Sequence, residues 1–246
     1  MQNKQAWRLI PLIATTGNLQ MAIDHWLLEQ HESGNNPSTL RFYTWSPAAI
    51  SLGYHQKQYP EYWQNLNWQG EKLDLVRRPS GGRAVLHQGD LTYAVVTSGM
   101  MGNRLQVYGK ICEFLIAGWR SLGVDLNYGQ AGRGYIHNPN CFGTATGADL
   151  ILADGSKLIG SAQLRRGEAI LQHGSIQLNP DADLFKQVFG KDAFTPVQLP
   201  QNLNQETLIE ALIIAACDCF NMQIEVKPLS ETEWEAILTQ PSLKRV

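Results

Sequence analysis

The chain has 246 residues, 43% of them hydrophobic and 17% charged, with a formal net charge of −2 at pH 7. That composition builds a substantial core and excludes intrinsic disorder. A charge so close to neutral recruits neither nucleic acid nor an anionic membrane, so any basic docking surface has to be local.

The N-terminal MQNKQAWRLIPLIA holds only a short apolar patch, without the h-region or cleavage site of a signal peptide. No run of about eighteen apolar residues is present to span a bilayer. Residues 17–30 place Leu19, Ala22, Ile23, Trp26 and Leu27 on one face, predicting an amphipathic helix. HESGNNPST then reads as a loop, and LRFYTWSPAAISLGY as two short strands around Ser46-Pro47. The stretch 58–73 is aromatic and polar, with no periodicity that decides its state. KLDLVRRP predicts a strand that enters a glycine turn, SGGR, and AVLHQGDLTYAVVTS resumes strand character. From 104 to 122, Tyr108, Ile111, Cys112, Leu115, Trp119 and Leu122 recur at helical spacing, which makes Cys112 a core residue.

After the polar loop NPNCFGTATGADL come two expected hairpins. ADLILA and KLIGSAQL flank Asp154-Gly155-Ser156, a strong hairpin signal. Arg166-Gly167-Glu168 then turns the chain into AILQHGSIQL. Helix 205–220, the strand QIEVKPL and a helix at 231–240 close the chain, the last with Ser230 and Glu233 at capping-box spacing. No repeat or linker marks a boundary, so residues 1–246 are expected to form a single domain. Interspersed helices and hairpin-linked strands predict an α+β fold with a mixed, largely antiparallel sheet.

Cysteines fall at 112, 141, 217 and 219, without the paired spacing of a disulfide framework or zinc ribbon. The expected compartment is therefore a reducing cytoplasm, and no metal site is expected. Cys217 and Cys219 lie two apart in a helical pattern and point in nearly opposite directions, so they cannot converge on a metal. Cys141 stands apart in its polar loop, either as an incidental thiol or as a nucleophile.

Three segments suit chemistry. In RRPSGGRAVLH, Gly81 and Gly82 permit close approach of a ligand to the main chain, and Arg77 and Arg78 suit a phosphate or carbonyl oxygen. The spacing equally suits a glycine-rich hairpin with surface arginines, and matches neither the P-loop nor the dinucleotide fingerprint. In GSKLIGSAQLRRGEAILQHGSIQL, the small run Gly160-Ser161-Ala162 suggests close passage of another chain along the strand. Lys157 suits an exposed turn as well as a site, and His173 is favoured as a hydrogen-bonded structural histidine. The third segment is the Cys141 loop.

Together these segments resemble the biotin/lipoate protein-ligase family, over about residues 15–240. Its two signatures are matched in order, about seventy residues apart, by RRPSGGRAVLH and KLIGSAQ. The resemblance implies a class II aminoacyl-tRNA synthetase/biotin synthetase-like catalytic domain. Gly-Gly-Arg stands where ligases of the family have three glycines, and no separate C-terminal accessory domain is expected. Both features, with the cysteine before the GSAQ strand, resemble the octanoyltransferase branch.

That branch implies transfer of octanoyl from acyl carrier protein, through a thioester on Cys141, to a lysine of a lipoyl domain. The acceptor would be glycine cleavage H protein or a 2-oxoacid dehydrogenase E2. No cofactor is needed, and neither nucleic acid nor membrane is a partner. Lys157 is implied as the active-site lysine that favours the thiolate. Arg78, Ser80, Gly81, Gly82, Arg83, His87, Gly160, Ser161, Ala162 and His173 are implied to surround the substrate. Arg133, Arg165, Arg166 and Arg83 offer local positive charge to an acidic carrier. The alternatives are a lipoate ligase using ATP and magnesium, an amidotransferase moving octanoyl between lipoyl domains, and a noncatalytic binder of such domains.

Overall fold

The structure is a computed structural model and describes residues 4–129, 149–190, 197–201 and 203–240. Its strands are β1 (Gln5–Thr15), β2 (Thr39–Trp45), β3 (Ala49–Leu52), β4 (Asn67–Trp68), β5 (Glu71–Lys72), β6 (Asp74–Arg77) and β7 (Val85–His87). They continue with β8 (Asp90–Thr97), β9 (Asn127–Tyr128), β10 (Leu150–Ile151), β11 (Lys157–Arg166), β12 (Ala169–Gln177) and β13 (Met222–Val226). The helices are α1 (Gly17–Glu32), α2 (Arg104–Ser121), α3 (Ala182–Phe189), α4 (Gln205–Cys219) and α5 (Glu231–Leu238).

Among the described residues, eight strands form one sheet in the order β13-β1-β2-β8-β12-β11-β10-β9. The β13/β1 and β1/β2 pairs are parallel and the remainder antiparallel. The expected mixed, largely antiparallel sheet is therefore present. Strand alternation sorts its side chains into two layers. Leu91, Tyr93 and Val95 of β8 face α2 and α4, whereas Ala94 and Val96 face α1 and α5. Gly118 lets α2 and α4 close together, because a Cβ there would lie 2.7 Å from Leu212 Cδ2. The capping box predicted at Ser230 and Glu233 is formed.

A smaller sheet, β6-β3-β7, carries the arginine-glycine segment. AVLHQGDLTYAVVTS is not one strand: β7 pairs with β3, and β8 crosses into the large sheet. The switch occurs at Gly89, whose φ of +66° suits glycine and where a Cβ would lie 1.9 Å from the Asn179 carbonyl oxygen. This break sets His87 and Asp90 side by side at the junction of the two sheets.

The hydrophobic pattern predicts neither β1 nor α3. In β1 the pairing with β2 shifts register between Ile10 and Ile13. Pro11 lies in that gap and has no N–H to donate, so the alternation breaks mid-strand. In α3 the Asp181 side chain accepts from the Asp183 and Leu184 amides, and Leu184, Phe185 and Val188 are buried. The undecided stretch 58–73 forms a 3₁₀ turn at Glu61–Asn65 with Trp63 buried, followed by the β4/β5 pair. No helix among the described residues is long and apolar enough to cross a membrane.

Candidate active site

The turn after β6 is built around Arg78. Its Nε donates to the Gly81 carbonyl, Nη1 to the Ser51 carbonyl and Oγ, and Nη2 to the Gly81 and Arg83 carbonyls. A guanidinium has five N–H groups, so these bonds occupy its whole donor set. Arg78 therefore clamps its own loop, and its donors are committed before any ligand arrives. Arg77 is also turned on the protein, donating to the Gly53 and Gln56 carbonyls at 2.9 and 2.7 Å. Gly82 sits at φ +101°, and its carbonyl oxygen would be 1.8 Å from a Cβ on Gly53. The glycine pair thus holds the loop close to β3.

Two buried histidines support this loop from the large sheet. His87 donates from Nδ1 to Asp90 Oδ2 at 2.8 Å, and its Nε2 accepts from Ser51 Oγ at 2.8 Å. His173 donates from Nδ1 to Asp24 Oδ2 at 2.8 Å, and its Nε2 accepts from Ser80 Oγ. In each case the carboxylate fixes the proton on Nδ1 and leaves Nε2 as an acceptor. Two Asp–His–Ser chains therefore end on the residues that carry the arginine-glycine loop. Asp90 also accepts from Thr92 and Ser175, and Asp24 from Tyr43. Trp45 stacks on the His87 ring with centroids 3.8 Å apart.

Burial lowers the pKa of His87 below the ordinary imidazole value, and Asp90 opposes this by favouring the charged form. The sign of the linkage follows. The unfolded chain binds a proton at this residue at higher pH than the folded chain does, so the neutral-imidazole stability present above about pH 6.5 is lost as pH falls. Denaturant midpoints measured between pH 7.5 and 5.5 should fall for the wild type, and His87→Asn should flatten that part of the profile. A slope unchanged by the substitution would remove His87 from the explanation.

Between the two sheets lies a narrow slot of about 60 Å³, lined by Met21, Trp45, Val85, His87, His173 and the Gly160–Ala162 strand among others. Alternation directs Gly160 and Ala162 to the α1 side, where the slot lies, and Ser161 to the other, where its Oγ accepts from Tyr93 OH at 2.8 Å. Gly174 opposite Ser161 has no room for a side chain, since a Cβ would meet Ser161 Oγ at 2.5 Å.

The structure thus gathers Arg78, Ser80, Gly81, Gly82, His87, Gly160, Ala162 and His173 around one place. Arg83 contributes its carbonyl to the Arg78 clamp. Lys157 is buried at the start of β11, three residues before Gly160 and outside the slot lining, with Nζ 2.9 Å from Asp149 Oδ1. Cys141 and Arg133 lie outside the described residues. An open cleft of about 800 Å³ adjoins the slot, sharing Met21 and Arg78 with it, and Arg165 and Arg166 line that cleft. Sequence reasoning missed Asp24, Arg41, Ser51 and Asp90. The signal for Asp24 was a carboxylate four residues after Gln20 on a helix face that is otherwise buried.

Residues 17–228 match the family described as lipoyl protein ligase A/B catalytic domain. The chain belongs to that family. Its relatives include octanoyltransferase LipM of Moorella thermoacetica, 38% identical over 221 residues, covering 87% of this chain and 77% of that protein. LipM of Lysinibacillus sphaericus is 33% identical and covers 89% of each chain. Among solved structures, a lipoate-protein ligase A bound with ATP superposes with a TM-score of 0.76 at 22% identity, over 95% of this chain and 93% of that one. A bipartite lipoate protein ligase studied with its E2 lipoyl domain, from Thermoplasma acidophilum, gives 0.75 at 18% identity, over 96% and 91%. At these identities the structural likeness carries the lipoyl ligase fold alone.

Proposed function

We propose that the chain is an octanoyl-acyl-carrier-protein:protein N-octanoyltransferase of lipoate synthesis. The observation that carries this reading is the similarity to LipM octanoyltransferases, 33% to 38% identical over most of the chain. The slot supports it, because its floor of Gly160 and Ala162 leaves the strand surface open to an acyl chain. Met21 is the unbranched, flexible side chain in its lining, able to adjust to such a chain.

In this mechanism the Cys141 thiolate attacks the donor thioester carbonyl, a new C–S bond forms, and the bond to the carrier sulfur breaks. The carrier thiol leaves with a proton. A lipoyl-domain lysine amine then attacks the enzyme thioester, an amide forms, and the Cys141 thiol is restored. Thioester exchange is near thermoneutral and proceeds without ATP. The chemistry of the other cysteines supports Cys141 as the nucleophile. Cys112 is buried in the core, where desolvation pushes its thiol up to about 12. Burial likewise raises the thiols of Cys217 and Cys219. Lys157, beside Asp149, serves in this reading as the active-site lysine that favours the thiolate.

The test is intact-protein mass spectrometry after mixing the enzyme with octanoyl-acyl carrier protein, without ATP. The expected result is one added octanoyl group on Cys141, discharged by an apo lipoyl domain such as glycine cleavage H protein or an E2 domain. Transfer only from free octanoate with ATP and magnesium would replace this reading with a ligase. An adduct formed only from an octanoylated lipoyl domain would replace it with an amidotransferase.

A further inference from the structure

We propose that the open cleft beside the slot seats the phosphate of the donor's phosphopantetheine arm, with Arg104 and Arg165 as its anchors. This rests on the octanoyltransferase reading, in which the acyl group arrives as a thioester on such an arm. The cleft is lined by Arg77, Arg78, Arg104, Arg165 and Arg166, and by no carboxylate among the described residues. On a chain of net charge −2, five arginines around one concavity are a local feature and concentrate positive potential there.

The hydrogen bonds separate these arginines by task. Arg78 is fully committed to its loop, and Arg77 holds the Gly53–Gln56 backbone. Arg166 is balanced by Glu29 at 3.2 Å and contacts His25. Arg104 and Arg165 differ, because neither is paired with an acid among the described residues. Arg104 Nη2 donates to the Gln163 carbonyl at 3.0 Å, and Arg165 Nε to the Gln163 Oε1 at 3.1 Å. Gln163 is itself buried and fixed, donating from Nε2 to Gln172 Oε1 at 3.0 Å.

One buried glutamine therefore anchors both guanidinium groups, Arg104 through its main-chain carbonyl and Arg165 through its side-chain oxygen. Arg165 Nη2 is in addition buried without an acceptor among the described residues. Two guanidinium groups on one residue without an acid partner among the described residues, one of them with a donor left open, favour an incoming anion with several acceptor oxygens, and the planar guanidinium fork matches a phosphate. The position suits the reaction. Met21 and Arg78 belong to both the slot and the cleft, so a ligand with its acyl end in the slot extends directly into the arginines.

The experiment compares transfer from octanoyl-pantetheine and octanoyl-4′-phosphopantetheine to one apo lipoyl domain, with calorimetric titration of 4′-phosphopantetheine alone. The wild type should prefer the phosphorylated thioester by about 10- to 100-fold in kcat/KM, the range of one or two charge-assisted hydrogen bonds. Arg104→Gln/Arg165→Gln should bring that ratio close to one and abolish the calorimetric binding. Arg165→Lys, which keeps the charge without the fork, should retain part of the preference. A double variant that keeps the full preference overturns the assignment, as does one that raises KM for the lipoyl domain instead. Equal use of both thioesters by the wild type overturns the cleft assignment while the transferase reading stands. Binding of phosphopantetheine through these arginines without any thioester transfer would overturn the transferase reading and leave the phosphate site in place.

Discussion

Lys157→Met is expected to lower octanoyl transfer by about 10²- to 10⁴-fold, the range found when a positioned proton-transfer or charge-stabilising group is removed. The same change breaks a buried ion pair. Lys157 and Asp149 are 7% and 4% exposed, with Nζ and Oδ1 2.9 Å apart. Removing one partner of such a buried pair typically costs about 3–5 kcal/mol of stability. The two effects have to be separated before the lost activity means anything. Lys157→Met/Asp149→Asn removes both charges and should recover most of the stability, since a neutral pair carries no stranded charge. It should not recover the activity, because the ammonium is still missing. Denaturant midpoints and single-turnover transfer rates on the wild type and the two variants make the comparison. If the double variant regained activity along with stability, Lys157 would be a folding residue and its catalytic role would fall.

The motif blocks and the broad fold were legible because they depend on local chemistry. Asp154-Gly155 and Gly167 announce hairpins by the φ values they need, and both glycines take positive φ. The α2 apolar face was readable because helical spacing continues over five turns. The contents of the site were less legible, because they depend on partners far apart in the chain. Asp24 and His173 are 149 residues apart, and Ser80 and His173 are 93 apart. No spacing rule links them until β12 lies across α1. The same holds for Arg78, where two arginines beside two glycines suggest an anion site. Only the fold shows that all five donors turn inward. The split of β7 from β8 was concealed by a continuous apolar run, although Gln88-Gly89 was a possible breakpoint.

Asp24→Ala is expected to be the most destabilising single substitution on the α1 side of the sheet, by about 3–5 kcal/mol. Asp24 is fully buried and serves three partners on two strands, β2 and β12. Tyr43 OH donates to Oδ2 at 3.0 Å, His173 Nδ1 to the same oxygen at 2.8 Å, and Arg41 Nη1 lies 3.5 Å from Oδ1. Arg41 is 1% exposed, so its charge cannot be compensated by water once the carboxylate has gone. Its remaining supports are the Gln20 side-chain amide oxygen and the Tyr43 ring, 4.0 Å below the guanidinium carbon. Neither carries a full negative charge. For a domain of this size the loss corresponds to roughly 6–20 °C in Tm. Asp24→Asn should fall between the two, since it keeps an acceptor oxygen for Tyr43 and loses the charge facing Arg41. Asp24→Leu/Arg41→Met should recover part of the stability by removing both ions, as buried pairs replaced by apolar residues often do. It should still raise KM for the octanoyl donor, because His173 would lose the carboxylate that fixes its tautomer and therefore its hold on Ser80 and the loop beside the slot. Recovery of stability with an unchanged KM would show that the Asp24 network supports the sheet alone and does not shape the slot.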